Sequence, residues 1–308
     1  MQGLELSEKY FDYYGMQMIT EKFSAYMDRI AVGLVGDGSE CFGFDDEFSR
    51  DHDWGPGFCL WLTNNDYEKI GAALEAEFDK LPKSFAGFEP RVETAISQKR
   101  VGVFEIVKFY WNFIGLKTIP ANLNEWLAIP EASLAVCTNG KVFYDPLGEF
   151  TRIRNRLKEF YPRDVQLKKI AARCMNIAQY GQYNFRRCVH RKEYVAASYA
   201  EAKFCSDVIS LVFLLNKEYK PFFKWMHRAV RKLPLLGEYT YLSLNSLVTS
   251  RDYELKCSII EEICAAIIEE LQQQGISDSV SDFLLDHGPV IQASIQDANL
   301  RVRNVWVG

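Results

Sequence analysis

Along the first half of the chain, segments with the hydrophobic spacing of a strand alternate with segments that have the spacing of a helix. Short apolar runs, bounded by glycine or proline or rich in β-branched residues, predict strands over residues 30–35, 58–62 and 101–107. Apolar residues three and four apart predict helices over residues 18–29 and 66–81. Helices and strands that alternate in this way indicate an α/β or α+β domain.

A further sheet element is predicted around Asn139-Gly140. The apolar segments 134–137 and 142–144 flank this pair. Asn-Gly is typical of a tight hairpin turn because both residues tolerate a positive φ. We therefore expect a β-hairpin at this point.

The pattern changes after Pro146. Long segments with a helical period follow, and prolines at several of their ends punctuate them. The predicted helices span residues 164–179, 184–216, 221–233, 252–274 and 280–298. This half is predicted to be a helical bundle, and the boundary before it is expected between residues 146 and 162.

Composition places the chain among folded globular proteins. Of its 308 residues, 48% are hydrophobic and 25% are charged, which excludes a disordered chain, a collagen-like repeat and a coiled-coil rod. No apolar run is long enough to span a membrane, and the polar N-terminus lacks the apolar core of a signal peptide. The eight cysteines form no Cys-x-x-Cys pair and only four histidines accompany them, which argues against a zinc site or a disulfide framework. We therefore expect a cytoplasmic protein with reduced thiols and no membrane contact.

The net charge of −5 conceals a strong asymmetry. Residues 151–232 contain 19 basic and 6 acidic residues, a net of +13, whereas the rest of the chain carries −18. A basic block of this kind indicates either an anionic ligand or solvated helix faces, and charge alone favours solvated faces.

The segment that follows the first predicted strand carries the candidate chemistry. Gly38 and Ser39 follow the strand, and after a spacer of eleven residues come Asp51 and Asp53. Gly38 allows a sharp turn and a close approach to a ligand, and Ser39 offers a hydroxyl and an N–H to phosphate oxygens. On a strand, Asp51 and Asp53 point to the same face and can hold Mg²⁺, with Mn²⁺ as the alternative. Two such metal ions can stabilise the attacking and leaving oxygens of a displacement at phosphorus.

This arrangement resembles the signature of the DNA polymerase β-like nucleotidyltransferase superfamily. The helical second half is similar to the kanamycin nucleotidyltransferase-like branch of that superfamily. More narrowly, the run GSECFGFDDEFSRDHDWGPGF resembles an uncharacterised bacterial family within it, as do the segments YPRD at residues 161–164 and PFFKW at residues 221–225. The resemblance extends from Leu4 to the C-terminus.

The resemblance implies an α+β fold with two domains. Residues 1–150 are expected to form a nucleotidyltransferase-like catalytic domain with a mixed sheet. Residues 151–308 are expected to form a helical bundle that binds the acceptor and the nucleotide. The implied activity is metal-dependent transfer of a nucleoside monophosphate from a nucleoside triphosphate, with ATP as the expected donor, to a hydroxyl-type acceptor and with release of pyrophosphate.

Members of the superfamily use a third carboxylate beside the aspartate pair. Glu105 is our candidate, because a charge inside an apolar strand is costly unless it meets a metal or a partner. Glu93 is the rival candidate. Asp51, Asp53 and Glu105 are thus the predicted catalytic and metal-binding residues.

The predicted nucleotide-binding residues are Gly38, Ser39, Arg50, Lys224 and Arg163. Arg50 precedes the aspartate pair, where it can contact phosphate or a neighbouring acid. Lys224 and Arg163 belong to the basic half, which is expected to supply cations to the triphosphate.

Alternative functions stay open at this point. The acceptor is expected to be a small molecule or a protein side chain, and a nucleic-acid partner is disfavoured. RNA-directed nucleotide addition is a weaker option that the basic block motivates. The main alternative is a non-catalytic nucleotide- or protein-binding module that retains the fold.

Overall fold

The chain forms two compact units. The computed structural model describes residues 1–92 and 99–308. The first unit contains residues 1–121 and 133–159, and the second contains residues 122–132 and 160–308.

A mixed four-stranded sheet lies in the first unit, within the described residues. Its strands are β1 Ala31–Leu34, β2 Cys59–Leu62, β3 Gly102–Glu105 and β4 Lys141–Tyr144. Their order across the sheet is β3-β2-β1-β4, with β1 antiparallel to both neighbours and β2 parallel to β3. The predicted strands at 30–35 and 58–62 are confirmed, and the strand predicted at 101–107 ends early because a helix begins at Ile106.

Helices make up most of the remaining chain. In chain order they are α1 Gly3–Tyr10, α2 Met16–Lys22, α3 Ser39–Phe42, α4 Asn64–Phe78, α5 Ile106–Ile114, α6 Leu123–Ala128, α7 Glu131–Thr138, α8 Glu149–Lys158, α9 Arg163–Ile177, α10 Arg186–His190, α11 Tyr194–Leu215, α12 Phe223–Val230, α13 Gly237–Thr249, α14 Tyr253–Gln273, α15 Leu284–Ala293 and α16 Ala298–Arg301. The α+β class and the helical C-terminal part are therefore confirmed.

The predicted hairpin at Asn139-Gly140 is wrong in its first arm. Residues 134–137 belong to α7, and β4 pairs with β1 rather than with a strand of its own hairpin. Residues 134–137 are buried as a continuous apolar run, a pattern that a strand and a buried helix share. The turn itself is present, since Gly140 has a φ of 62°.

Other helix boundaries also differ from the prediction. A π-helical turn, Phe11–Gly15, joins α1 to α2, and the predicted helix 18–29 gives way to a 3₁₀ turn at Ser24–Arg29. In the second unit another π turn, Ala178–Phe185, joins α9 to α10, and the predicted helix 184–216 is broken between α10 and α11. Helix α13 had no prediction, because its apolar period is weak.

The core of the first unit is built on the two central strands. Every residue of β1 and β2 is buried. The Trp61 ring stacks on Phe150 of α8 with centroids 3.8 Å apart, and Phe11 packs edge-on against Phe58 at 5.5 Å. Burial of aromatic side chains of this size dominates the packing energy of such a core.

Helix α9 lies at the centre of the second unit, where it packs against α11 and α15. One of its residues, Arg173, holds a buried network, which we define as Arg173, Glu131, Asp207 and Ser210. Arg173 Nε donates to Ser210 Oγ at 2.9 Å, and Ser210 Oγ lies 2.8 Å from a Glu131 carboxylate oxygen. Arg173 also lies 3.4 Å from Glu131 and 3.5 Å from Asp207. Charges removed from water are tolerated here because they satisfy one another.

Two further observations concern membranes and thiols. Within the described ranges, no helix has the length and apolar content needed to cross a bilayer. All eight cysteines fall in those ranges and are free thiols, and burial raises the pKa of Cys59, Cys137 and Cys205 to about 12.

Candidate functional site

A cavity opens in the first unit where β1 runs into the Gly-Asp-Gly turn. We call it the loop cavity, and its volume is about 180 Å³. Its walls come from the end of β1, from the start of α3, from β3 and α5, and from three basic side chains. The lining residues are Leu34, Val35, Gly36, Asp37, Gly38, Glu40, Cys41, Arg91, Lys99, Arg100, Phe104, Phe109, Asn112 and Phe113.

The turn is fixed from one side by Asn139. Gly36 has a φ of 148°, a conformation that an L side chain rarely adopts. Its N–H donates to Asn139 Oδ1 at 3.0 Å, and Asn139 Nδ2 donates back to the Gly36 carbonyl at 2.8 Å. Among the described residues, no side chain caps the start of the short helix α3 at Gly38.

Arg91 and Glu40 form a buried ion pair in the cavity wall. Arg91 Nη2 lies 3.1 Å from Glu40 Oε1, and the two side chains are 6% and 3% exposed. The Arg91 guanidinium also donates to the carbonyls of Asp53 and Gly55. The Glu40 carboxylate lies so close to Gly38 that a side chain at that position could not be accommodated without displacing it. Arg91 therefore ties the α3 turn to the segment that carries the predicted aspartates.

A second arginine, Arg100, pairs with Asp53 on the same wall. Arg100 Nη2 lies 3.4 Å from Asp53 Oδ2, and the Arg100 side chain stays 34% exposed toward solvent. Desolvation by the surrounding walls raises the pKa of Asp37, although this residue keeps an exposed surface, and Arg100 opposes that rise. The neighbouring Lys99 is exposed and pairs with Glu75. The cavity thus presents Lys99 and Arg100 beside two carboxylates, Asp37 and the buried Glu40.

The two predicted aspartates do not lie on a strand. They follow a 3₁₀ turn, Glu47–Arg50, and precede β2 by several residues. Asp51 faces solvent with 66% of its side chain exposed and pairs with His52 at 2.8 Å. Asp53 has a φ of 52°, which turns its side chain inward to Arg100 and leaves it 4% exposed. The predicted common face is therefore wrong, because the backbone twists between the two residues.

Glu105 is also placed differently from its prediction. It is the last residue of β3 and the N-terminal cap residue of α5, and it is half-buried. It lines a neighbouring cavity rather than the loop cavity. The rival candidate Glu93 lies outside the described residues.

The predicted metal ligands are not assembled as a set. Over residues 1–92 and 99–308, no group of three or more His, Cys, Asp or Glu side chains is arranged to hold a metal ion. Asp51 is engaged by His52, Asp53 by Arg100, and Glu105 belongs to another cavity. The arrangement of these three residues therefore does not fit a shared metal centre.

The predicted nucleotide-binding residues fall in several places. Gly38 lines the loop cavity, whereas Ser39 is the first residue of α3 and is not among the described lining residues. The Arg50 guanidinium lies over the Trp54 ring at 4.8 Å. In the second unit, Lys224 lies over the Trp225 ring at 5.0 Å, and Arg163 donates to Gln166 at 3.3 Å.

Sequence reasoning missed Asp37, Arg91, Lys99 and Arg100. Asp37 lies inside the highlighted motif, directly before Gly38, and could have been chosen from that position. The basic residues lie more than fifty residues further along, and no local pattern marks them. The pairing of β3 with β2 brings Lys99 and Arg100 to the turn. Hydrogen bonds to the carbonyls of Asp53 and Gly55 hold Arg91 there.

Comparison with known proteins adds two similarities. Residues 126–226 match the profile of a domain of unknown function, DUF4037. This match supports the resemblance to an uncharacterised family, and it covers none of the loop-cavity residues. Among solved structures, the chain is similar to a nucleotidyltransferase-like protein from Exiguobacterium sibiricum 255-15, with 11% identity and a TM-score of 0.36, over 84% of this chain and 75% of that one. A search of curated proteins finds no match.

Proposed function

We propose that the chain is a nucleotidyltransferase that binds the phosphates of ATP in the loop cavity. It moves the nucleoside monophosphate to a hydroxyl group of a small molecule or a protein and releases pyrophosphate. The observation that carries this proposal is the juxtaposition of Lys99 and Arg100 with an uncapped glycine turn in one cavity. Basic side chains and free amides are the groups that bind phosphate oxygens.

The cavity residues supply charge and a proton acceptor. Lys99 and Arg100 neutralise the phosphates and the leaving pyrophosphate. The acceptor oxygen forms a bond to the α-phosphorus, the bond from that phosphorus to the bridging oxygen breaks, and its electron pair leaves with pyrophosphate. Asp37 takes the hydroxyl proton, and its raised pKa makes it a stronger base than an ordinary aspartate. Asp53 acts indirectly, since it holds Arg100 in place.

The participation of Mg²⁺ or Mn²⁺ stays a prediction, and no step above depends on it. Binding is therefore measured by calorimetry with and without Mg²⁺. Arg100→Ala should weaken ATP binding about tenfold or more, since a charge-assisted contact contributes about 1.5–3 kcal/mol. Arg152→Ala is the matched control, because Arg152 forms an exposed ion pair with Glu149 on α8. The melting temperature of each variant shows that it is folded.

An Arg100→Ala protein that is folded and binds ATP as tightly as the wild type contradicts the proposal. If Arg100→Ala does not fold, Lys99→Met serves as the second variant, because Lys99 is exposed and its loss leaves Asp53 paired. If both variants bind ATP normally, the loop cavity is not the phosphate-binding site.

A non-catalytic nucleotide-binding module is the second candidate. The observation that favours it is the dispersal of Asp51, Asp53 and Glu105, which leaves no three-carboxylate group among the described residues. The two candidates differ in pyrophosphate release when ATP, Mg²⁺ and a mixture of hydroxyl-bearing metabolites and proteins are supplied. ATP binding without pyrophosphate release favours the module, and release that Asp37→Asn abolishes favours the enzyme.

A further inference from the structure

The loop cavity is too small to hold a whole nucleotide. Its volume is about 180 Å³, whereas sites for ligands of that size usually enclose about 300–1,000 Å³. A second cavity of about 580 Å³ adjoins it, and the two share Lys99, Phe104, Phe109 and Asn112 as lining residues. Together they reach the expected size.

Residues of helix α5 line both cavities. Phe109 and Phe113 are four residues apart and line the loop cavity. Lys108, Trp111 and Gly115 lie on the adjacent stripe of the helix and line the second cavity. Gly115 has a φ of 70° and ends the helix there. One ligand can therefore follow α5 from the first cavity into the second.

The second cavity carries exposed aromatic side chains. Trp111 is 49% exposed and Tyr67 is 40% exposed, so each presents part of its ring to solvent. Phe104, at the edge of the sheet, lies between the two cavities, and Lys99 Nζ is 5.3 Å from its ring centroid. Glu105 and Asn112 add polar groups that can pair with the edge of a flat ring.

We infer that this second cavity binds the nucleobase of the nucleotide whose phosphates occupy the loop cavity. We call it the shelf cavity, and Tyr67, Phe104 and Trp111 are three of its aromatic lining residues. The inference rests on the proposed function. Aromatic faces bind bases by stacking, and Lys99 lines both cavities, where the ribose would connect the phosphates to the base.

The test compares ATP with inorganic tripolyphosphate in calorimetric titrations of the full chain. Tripolyphosphate carries the phosphates without a base, so it probes the loop cavity alone. Trp111→Ala should weaken ATP binding about tenfold while tripolyphosphate binding stays unchanged. Trp111→Phe, which keeps an aromatic face, should restore most of the ATP affinity. Tyr13→Ala is the control, since Tyr13 is 66% exposed and belongs to neither cavity.

The possible results distinguish a failure of the base-binding inference from a failure of the proposed function. If the wild type binds ATP no more tightly than tripolyphosphate, or if Trp111→Ala and Tyr67→Ala both bind ATP normally, the shelf is wrong and the phosphate site stands. If the wild type binds neither compound, the proposed function fails and the shelf fails with it. If Trp111→Ala weakens the binding of ATP and of tripolyphosphate equally, the base-binding inference is also wrong, because the substitution then does not act on the base.

Discussion

Two arginine-centred clusters, one in each unit, use buried charge in different ways. In the buried network of the second unit, Arg173 contacts Glu131, Asp207 and Ser210, so its guanidinium binds other groups of the protein. In the first unit, Arg91 and Arg100 each hold one carboxylate, and both line a cavity. The contrast shows that the buried charge of the second unit is satisfied within the protein, whereas the charge of the first unit borders an opening that a ligand can reach.

The largest effect is expected from Arg173→Ala. Loss of this arginine removes the cation that contacts Glu131 and Asp207, so that Ser210 remains as the hydrogen-bond partner of Glu131 in the network, and this costs about 3–5 kcal/mol of unfolding free energy. ATP affinity of the folded variant should not change. Urea unfolding and calorimetry measure the two quantities. A stable variant with weakened ATP binding would reverse the roles assigned to the two clusters.

An intermediate effect is expected from Glu40→Gln. The amide keeps the shape of the side chain but loses the charge opposite Arg91, so the protein should lose about 1–3 kcal/mol of stability. ATP binding without Mg²⁺ should strengthen by roughly 1 kcal/mol, because a negative charge leaves the cavity. Glu75→Gln, which neutralises the partner of Lys99, is the comparison. Weaker binding in Glu40→Gln would show that this carboxylate does not repel the ligand.

The smallest effect is expected from Lys169→Met, on the pH dependence of the free energy of unfolding. Burial lowers the pKa of Lys169 from 10.5 to about 8, with Glu131 opposing and Arg173 and Lys220 adding to the shift. Between the pKa of the folded state and that of the unfolded state, Lys169 is mostly neutral when folded and mostly protonated when unfolded. Unfolding therefore takes up a proton, and the free energy of unfolding rises with pH, by on the order of 1 kcal/mol from pH 7 to 9. Lys169→Met should reduce this rise without abolishing it, because burial also lowers the pKa of Lys168 to about 8, whereas Lys83→Met, at an exposed lysine, should leave it unchanged. Urea unfolding at each pH provides the measurement, and an unaltered slope in Lys169→Met would refute the assignment.

The sequence pattern predicted elements well where packing and local preference agree. Strands β1 and β2 are buried apolar runs bounded by glycine, and helix α4 has a clear helical period with Thr63 as its cap. The pattern failed at residues 134–137, where a buried helix and a buried strand look alike. It also missed the π turns, because these depend on tertiary contacts rather than on residue preference.

The candidate site was predictable only in part. The motif pointed to the turn at Gly38, and this turn lines a cavity in the structure, while its role as a phosphate site stays a prediction. The conformations of Asp51 and Asp53 were not predicted, because alternation holds only on a strand and Asp53 takes a positive φ. Arg91 and Arg100 reach the turn through long-range packing, which no local spacing encodes.

The π turn between α1 and α2 has a consequence for chain length. It places an extra residue in a helix, and Gly15 within it lies so close to Phe58 that a Cβ atom would be 2.6 Å from the ring. Deleting one residue here would convert the π turn into an ordinary α-helical turn, so α2 would keep its buried face with Met18 and Ile19. The close fit of Gly15 against Phe58 would be lost instead. A one-residue deletion at this point should therefore cost packing under α1 and α2 rather than the register of the helix.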